Sequence, residues 1–207
     1  MSNVSRKEGE NNMPKLLFQG HGSYRLTADD GRIIYVDPYK GKGYDVKADI
    51  ILVTHQHKDH NQTERCAQKP GCRIITNAEA LAGGRHNCFD VDGIKIEAVE
   101  ASNKIHDPKQ CVGYIITLDS VKIYASGDTS KTKQMESLAE FAIDYALFPG
   151  DGIFNMNPDE AAECAKLIGA KNNILIHLKP GESYRKKAEK WAAPNKLIIE
   201  PGQEIGL

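Results

Sequence analysis

Residues 48–62 read ADIILVTHQHKDHNQ, a continuous apolar run that ends abruptly in histidines and an aspartate. The run from Ala48 to Thr54 has the length of a β-strand, and its lack of polar alternation suits a strand covered on both faces. His55, His57, Asp59 and His60 then crowd into six residues, at the strand end where α/β proteins usually build sites. An extended backbone would point His55 and His57 the same way, and a turn would carry Asp59 and His60 toward a neighbouring point. Neutral imidazoles with a carboxylate suit Zn²⁺ and related borderline cations, whereas Mg²⁺ and Ca²⁺ sites are built from oxygens. The chain holds only seven histidines, so this crowding reads as a metal signature rather than as solvated loop residues.

On either side of this stretch, short strand-like runs alternate with turn signals. KLLFQG, SYRLTA and RIIYVDP precede it, broken by GHG and DDG, while RIIT, KIEAVEA, VGYIITL, VKIYAS, DYALFP, NILIHL and KLIIE follow it. VGYIITL and VKIYAS together predict a hairpin turning at Asp119 and Ser120. Helical patterns fall at NAEALAG, SKTKQMESLAEFA, NPDEAAECAKLIG and ESYRKKAEKWA. Ser130 and Asn157 stand where N-caps belong, Pro158 fits a first helical position, and Gly169 ends its helix. Many early strands, with helices between the later ones, predict a layered α/β architecture with sheets sheathed by helices.

A chain of 207 residues is long enough for one domain with a substantial core. The polar start predicts a disordered tail over residues 1–13 and a single domain over 14–207. Lysine plus arginine number 27 against 28 aspartates and glutamates, which supplies no field for steering onto nucleic acid or an anionic membrane. No apolar run reaches the roughly 20 residues of a membrane span, and the start carries no secretory apolar segment, so a cytoplasmic protein is expected. Cys66, Cys72, Cys88, Cys111 and Cys164 are odd in number and include no C-x-x-C pair, which fits reduced thiols better than a disulfide framework.

THQHKDH resembles the H-x-H-x-D-H motif of the metallo-β-lactamase superfamily, whose fold is a four-layer αββα sandwich with a dinuclear metal site between its sheets. Further landmarks follow in order: Asp37 in IIYVDP, His106 in NKIHD, Asp128 in YASGDT and His177 in NILIHLKP. The resemblance implies that His55, His57 and His106 hold one metal, that Asp59, His60 and His177 hold the other, and that Asp128 bridges them. It implies two divalent ions, Zn²⁺ first and Mn²⁺ or Fe²⁺ as alternatives, with Asp37 holding a ligand imidazole or closing the loop backbone from behind. Within the superfamily the chain most resembles small metal-dependent hydrolases related to ascorbate-phosphate lactonase, a branch of varied substrates. Asp151 in FPGDGIF departs from the small residue expected there, and the short interval between His60 and His106 leaves little room for a lid.

Such a centre implies hydrolysis of a small ester, lactone or phosphoester, with Asp59 near the attacking water as a proton shuttle. His21, Lys179 and Tyr184 are weaker candidates for contacting the substrate, and Arg185 could receive an anion. His86 is expected on the surface. Two alternatives share the landmarks. One is an RNA-processing nuclease, whose gripping arm is not found in this sequence and whose charge is not replaced elsewhere. The other is a di-iron redox protein, a branch in which a carboxylate commonly stands where this chain has His57. A small-molecule partner is therefore expected, and no nucleic acid.

Overall fold

A computed structural model describes residues 13–179 and 181–207. The tail expected over residues 1–13 lies outside them but for Met13, which is exposed. One sheet holds β1 (Lys15–Gly20), β2 (Ser23–Thr27), β3 (Ile33–Val36), β4 (Ala48–Val53), β5 (Gln68–Thr76) and β12 (Glu204–Gly206), in the order β12-β1-β2-β3-β4-β5. The other holds β6 (Cys88–Val91), β7 (Ile94–Glu100), β8 (Val112–Leu118), β9 (Val121–Ala125), β10 (Tyr145–Pro149) and β11 (Asn172–Ile176), in the order β11-β10-β9-β8-β7-β6. Both are mixed. The strands β3-β4-β5 and β9-β10-β11 run parallel, and the remaining pairs are antiparallel.

The two sheets pack face to face. Phe18, Leu26, Ile34, Ile50 and Leu52 of the first meet Ile96, Tyr114, Ile116, Leu147 and Ile174 of the second in one buried core. Alternate residues of the second sheet, including Ile115, Tyr124, Phe148 and Leu175, face outward under helix α2 (Pro158–Ile168). That is why the central strands read as unbroken apolar runs: both faces are covered. The Asn157 side chain accepts hydrogen bonds from the Asp159 and Glu160 amides, Pro158 opens α2, and Gly169 ends it at φ 67°.

The helical sheath is unequal. On the outer face of the first sheet Tyr35 and Ile51 pack against Tyr44 and Cys66, which lie on loops rather than on a long helix. Helix α1 (Asn77–Ala80) has four residues, and α3 (Tyr184–Lys190) has seven.

Several local expectations are corrected. SKTKQMESLAEFA forms a 3-10 helix over Lys133–Phe141 entered from Thr132, so Ser130 is not its cap. Its buried Met135 and Leu138 are three apart, the period of a 3-10 turn. KLIIE makes an isolated bridge from Lys196 to Asn173 rather than a strand. The sheet edge near the C-terminus is closed by β12 on β1. The predicted hairpin is present, with Asp119 in the left-handed region at φ 55°.

Parallel strands point their C-terminal ends the same way, and in both sheets the following loops meet at one end of the sandwich. Asp37 follows β3, His55 follows β4, Asp128 lies just beyond β9, Asp151 beyond β10, and His177 directly after β11. Two backbone hydrogen bonds tie the sheets together at this end: the His177 amide donates to the His21 carbonyl at 2.9 Å, and the Val112 amide to the Thr54 carbonyl at 3.1 Å.

Candidate metal centre

Three overlapping groups of side chains converge there: His55, His57 and His106; His55, His60 and Asp128; and His21, Asp59, His60 and His177. Within each group one donor atom per residue lies within 4.8 Å of all the others. All seven residues expected to ligate metal are thus brought together from four separate loops, and His21 joins them from a fifth. Their rings are in contact, with centroids 4.2 Å apart for His55 and His60 and 4.9 Å for His57 and His106.

Partners behind the imidazoles decide which nitrogen faces inward. Asp37 accepts from the Thr54 amide at 2.8 Å, from the Thr54 hydroxyl at 2.7 Å and from His60 Nδ1 at 2.8 Å. Thr54 Oγ1, its proton given to Asp37, can only accept from His55 Nδ1 at 3.0 Å. Asn103 Oδ1 accepts from His106 Nδ1 at 3.0 Å. Asp151 Oδ2 lies 3.1 Å from His177 Nδ1, an ion-pair contact without the alignment of a linear hydrogen bond. The three hydrogen bonds place the proton on Nδ1 of His55, His60 and His106 and turn their Nε2 toward the centre.

The centre is built for positive charge. His55 Nε2 is buried with no hydrogen-bond partner, an orphaned donor atom of the kind a cation satisfies. Nitrogens approach each other at 3.3 Å between His60 Nε2 and His177 Nε2, and again between His106 Nε2 and His57 Nδ1. Asp128 sits among them, 3.3 Å from His60 Nε2 and 3.4 Å from both His106 Nε2 and His177 Nε2. Burial lowers His60, yet Asp128 and Asp37 outweigh it and carry the group up to about 9. His55 is pushed down to about 2 by burial and by the neighbouring His60. Burial opposes ionisation of Asp128, but His60 and His177 hold it down at about 2. The donor set of imidazole and carboxylate, without thiolate, fits Zn²⁺ and its neighbours.

His21 lies within the cluster itself. Its ring lies 3.7 Å from that of His177, centroid to centroid, and Nε2 is 3.0 Å from Asp59 Oδ2. That hydrogen bond holds the Asp59 carboxyl well below its ordinary value. His21, Asp37 and His177 all occupy the left-handed region, at φ 58°, 47° and 49°, backbone strain of the sort that collects at functional sites. Lys179 and Tyr184 line a separate cavity of about 400 Å³ on the other side of His21, with Tyr39, Lys40 and Leu178. The Tyr184 hydroxyl accepts from the His21 amide at 3.0 Å. Arg185 instead pairs with Glu200 at the surface, and His86 is exposed.

Thr54, Asn103 and Asn155 are functional neighbours that sequence reasoning missed. Thr54 had a signal, its place directly before His55. Asn103 and Asn155 had none: their partners His106 and Asp151 lie only three and four residues away, but asparagine in an irregular loop is an ordinary turn residue. Five free cysteines accompany the fold; Cys66, Cys111 and Cys164 are buried, and burial pushes each thiol up to about 12. None of these three is poised as a nucleophile. Among the described residues no helix is long and apolar enough to cross a membrane.

Two sheets, the loops at their C-terminal ends and a cage of imidazoles around one aspartate define a metallo-β-lactamase-like fold with a metal-binding His/Asp cluster. Residues 15–177 match the β-lactamase superfamily domain. The chain is 32% identical to a metal-dependent hydrolase of Thermococcus onnurineus, over 94% of this chain and 100% of that one. A candidate metal-dependent hydrolase from Parabacteroides distasonis superposes with a TM-score of 0.74 at 30% identity, covering 92% and 94% of the two chains. Igni18, a metallo hydrolase of Ignicoccus hospitalis, shares the fold with a TM-score of 0.76 at 21% identity, covering 94% and 98%. The chain belongs to the UPF0173 metal-dependent hydrolase family of the β-lactamase superfamily.

Proposed function

We propose that this hydrolase holds two divalent cations, Zn²⁺ before Mn²⁺ or Fe²⁺, and cleaves a small ester, lactone or phosphoester with an activated water. The observation that carries the reading is the convergence of Nε2 atoms from His60, His106 and His177 on Asp128, with His55 in the same group and the rings of His55, His60 and His106 held by hydrogen bonds on Nδ1. His55, His57 and His106 would hold one cation and Asp59, His60 and His177 the other, with Asp128 between them. Bound there, the cations supply Lewis acidity and ionise a water near neutral pH.

The chain's own groups do the rest. Asp37 and Thr54 keep two imidazoles aimed, so that little reorganisation is needed when the reaction begins. Asp59 lines the mouth of the centre and is kept ionised by His21. It would take a proton from the attacking water and pass it to the leaving group.

The test is a screen of protein loaded with Zn²⁺ or Mn²⁺ against lactones, small phosphodiesters, thioesters and β-lactams, with tRNA as a control. Hydrolysis of a small substrate and weak, salt-insensitive tRNA binding are expected. Specific tRNA cleavage with sub-micromolar affinity would replace the reading by a nuclease, and oxygen consumption without hydrolysis by a redox protein.

A further inference from the structure

Among the described residues only five large apolar side chains are exposed: Met13, Val46, Ile105, Ile153 and Phe154. Three of them stand on the two loops flanking the metal centre. Ile105 and Phe154 line one cavity of about 240 Å³ together with His57, Asp59, His106, Asp128 and His177. Ile153 adjoins Phe154, and both are 57% exposed, against 54% for Ile105.

These side chains are held outward by the residues that aim the imidazoles. Asp151, beside His177 Nδ1, also accepts from the Ile153 amide at 2.6 Å and the Phe154 amide at 2.7 Å. Asn103, which fixes His106, accepts from the Ile105 amide at 2.8 Å and donates to the Phe154 carbonyl at 2.9 Å. One network therefore sets the orientation of two metal-facing histidines and the position of the apolar rim. Loops so tied are preorganised, and exposed apolar groups at a pocket mouth mark a surface meant to be covered.

We infer that Ile105, Ile153 and Phe154 form a subsite for an apolar group attached next to the scissile bond, so that the substrate is a carbonyl or phosphoryl compound with a short aliphatic chain. The inference rests on the metal reading above, because the cavity that joins the rim to the centre is where the reacting group would sit. It adds what that reading lacks, the chemical character of the substrate beside its reacting group.

The probe is a series of straight-chain alkyl hydroxamates, from acetohydroxamate to octanohydroxamate, titrated calorimetrically into zinc-loaded protein. The hydroxamate head binds a metal, and the chain reports the rim. Affinity is expected to tighten roughly two- to fourfold per methylene over the first few carbons. The increment should flatten in Phe154→Ser and in Ile105→Ser, both surface changes checked by circular dichroism and zinc content. An equal increment in wild type and both variants, or a flat series in wild type with acetohydroxamate bound, would overturn the inference alone. Failure of acetohydroxamate itself to bind would remove the metal reading and the inference with it. If Phe154→Ser turned a dimer into a monomer in sedimentation and left the increment unchanged, the rim would be a self-association surface and the inference would fall.

Discussion

His21 Nε2 lies 3.0 Å from Asp59 Oδ2, and this bond spans from the loop after β1 to the loop after β4. It ties the carboxylate of the HKDH turn, 39% exposed, to an imidazole that also packs at a tilt on His177. His21→Ala should therefore leave Asp59 free to rotate away. Cation affinity at the Asp59, His60 and His177 group is expected to fall about 10- to 100-fold, the usual cost of losing a partner behind a ligand. His21→Asn, which tolerates the positive φ, should fold as well as wild type and keep part of that affinity. Zinc titration with a competing chelator measures both, and wild-type affinity in His21→Ala would show that the bond is incidental.

Asp37 accepts three hydrogen bonds within the buried interior. Asp37→Ala would leave the Thr54 amide and His60 Nδ1 without acceptors, each costing about 1–3 kcal/mol. Metal-free Asp37→Ala should lose roughly 3 kcal/mol or more in urea unfolding. A loss under about 1 kcal/mol would mean that water replaces the carboxylate.

Gly22 faces the centre with no side chain, and a Cβ built there would lie 2.9 Å from His60 Cε1 and 3.6 Å from His177 Cδ2. The His60 ring cannot yield, because Asp37 pins it from behind. Gly22→Ala is expected to reduce metal content to about one ion per chain while circular dichroism remains that of the folded protein. Full two-metal occupancy in elemental analysis would show that the ring has room to move.

Asp144 gives a pH prediction away from the metals. Burial raises its carboxyl, but Lys171 and the Lys122 amide outweigh burial and hold it below its ordinary value. A carboxyl depressed in the fold contributes stability above its unfolded pKa and loses it as the pH falls through the folded one. Asp144→Asn should thus be less stable than wild type at neutral pH, and the gap should close as the pH drops below the usual carboxylate range. A gap constant with pH, in denaturation at several pH values, would assign the loss to packing.

How much of this was legible in the sequence depends on range. The apolar run of β4 and the histidines after it are local, so their chemistry shows in one line of residues. Asp128 and His177 read as ordinary turn and strand-end residues until their order is taken together. The Asn103 and Asp151 networks were illegible, because each links loops that only the packing of two sheets brings together. β6 and β12 were missed for another reason: CFDV and EIG are too short and too polar to carry a period. Ser130 misled because capping residues are also turn residues, and nothing in SKTK distinguishes an α from a 3-10 start.

Removing metal should cost stability, and the size of the cost separates a functional centre from an incidental cluster. The inward-facing nitrogens of His60 and His177 stand 3.3 Å apart, and His55 Nε2 is buried without a partner. A cation relieves both features at once and binds the folded chain alone. At a free concentration 100 times its dissociation constant it adds about 2.7 kcal/mol. For a chain of this size each kcal/mol moves Tm by about 2–4 °C. Chelated protein is therefore expected to melt roughly 5–10 °C below zinc-loaded protein, a gap that scanning calorimetry measures directly. Asp128→Ala should melt at nearly the same temperature with and without zinc, because Asp128 lies within 3.4 Å of His60, His106 and His177 and its loss weakens both groups together. His57→Ala should retain part of the zinc-induced gap, since His57 belongs to the His55 and His106 group alone. Equal gaps in wild type and Asp128→Ala would show that the aspartate is a turn residue and that the histidines alone hold whatever metal binds.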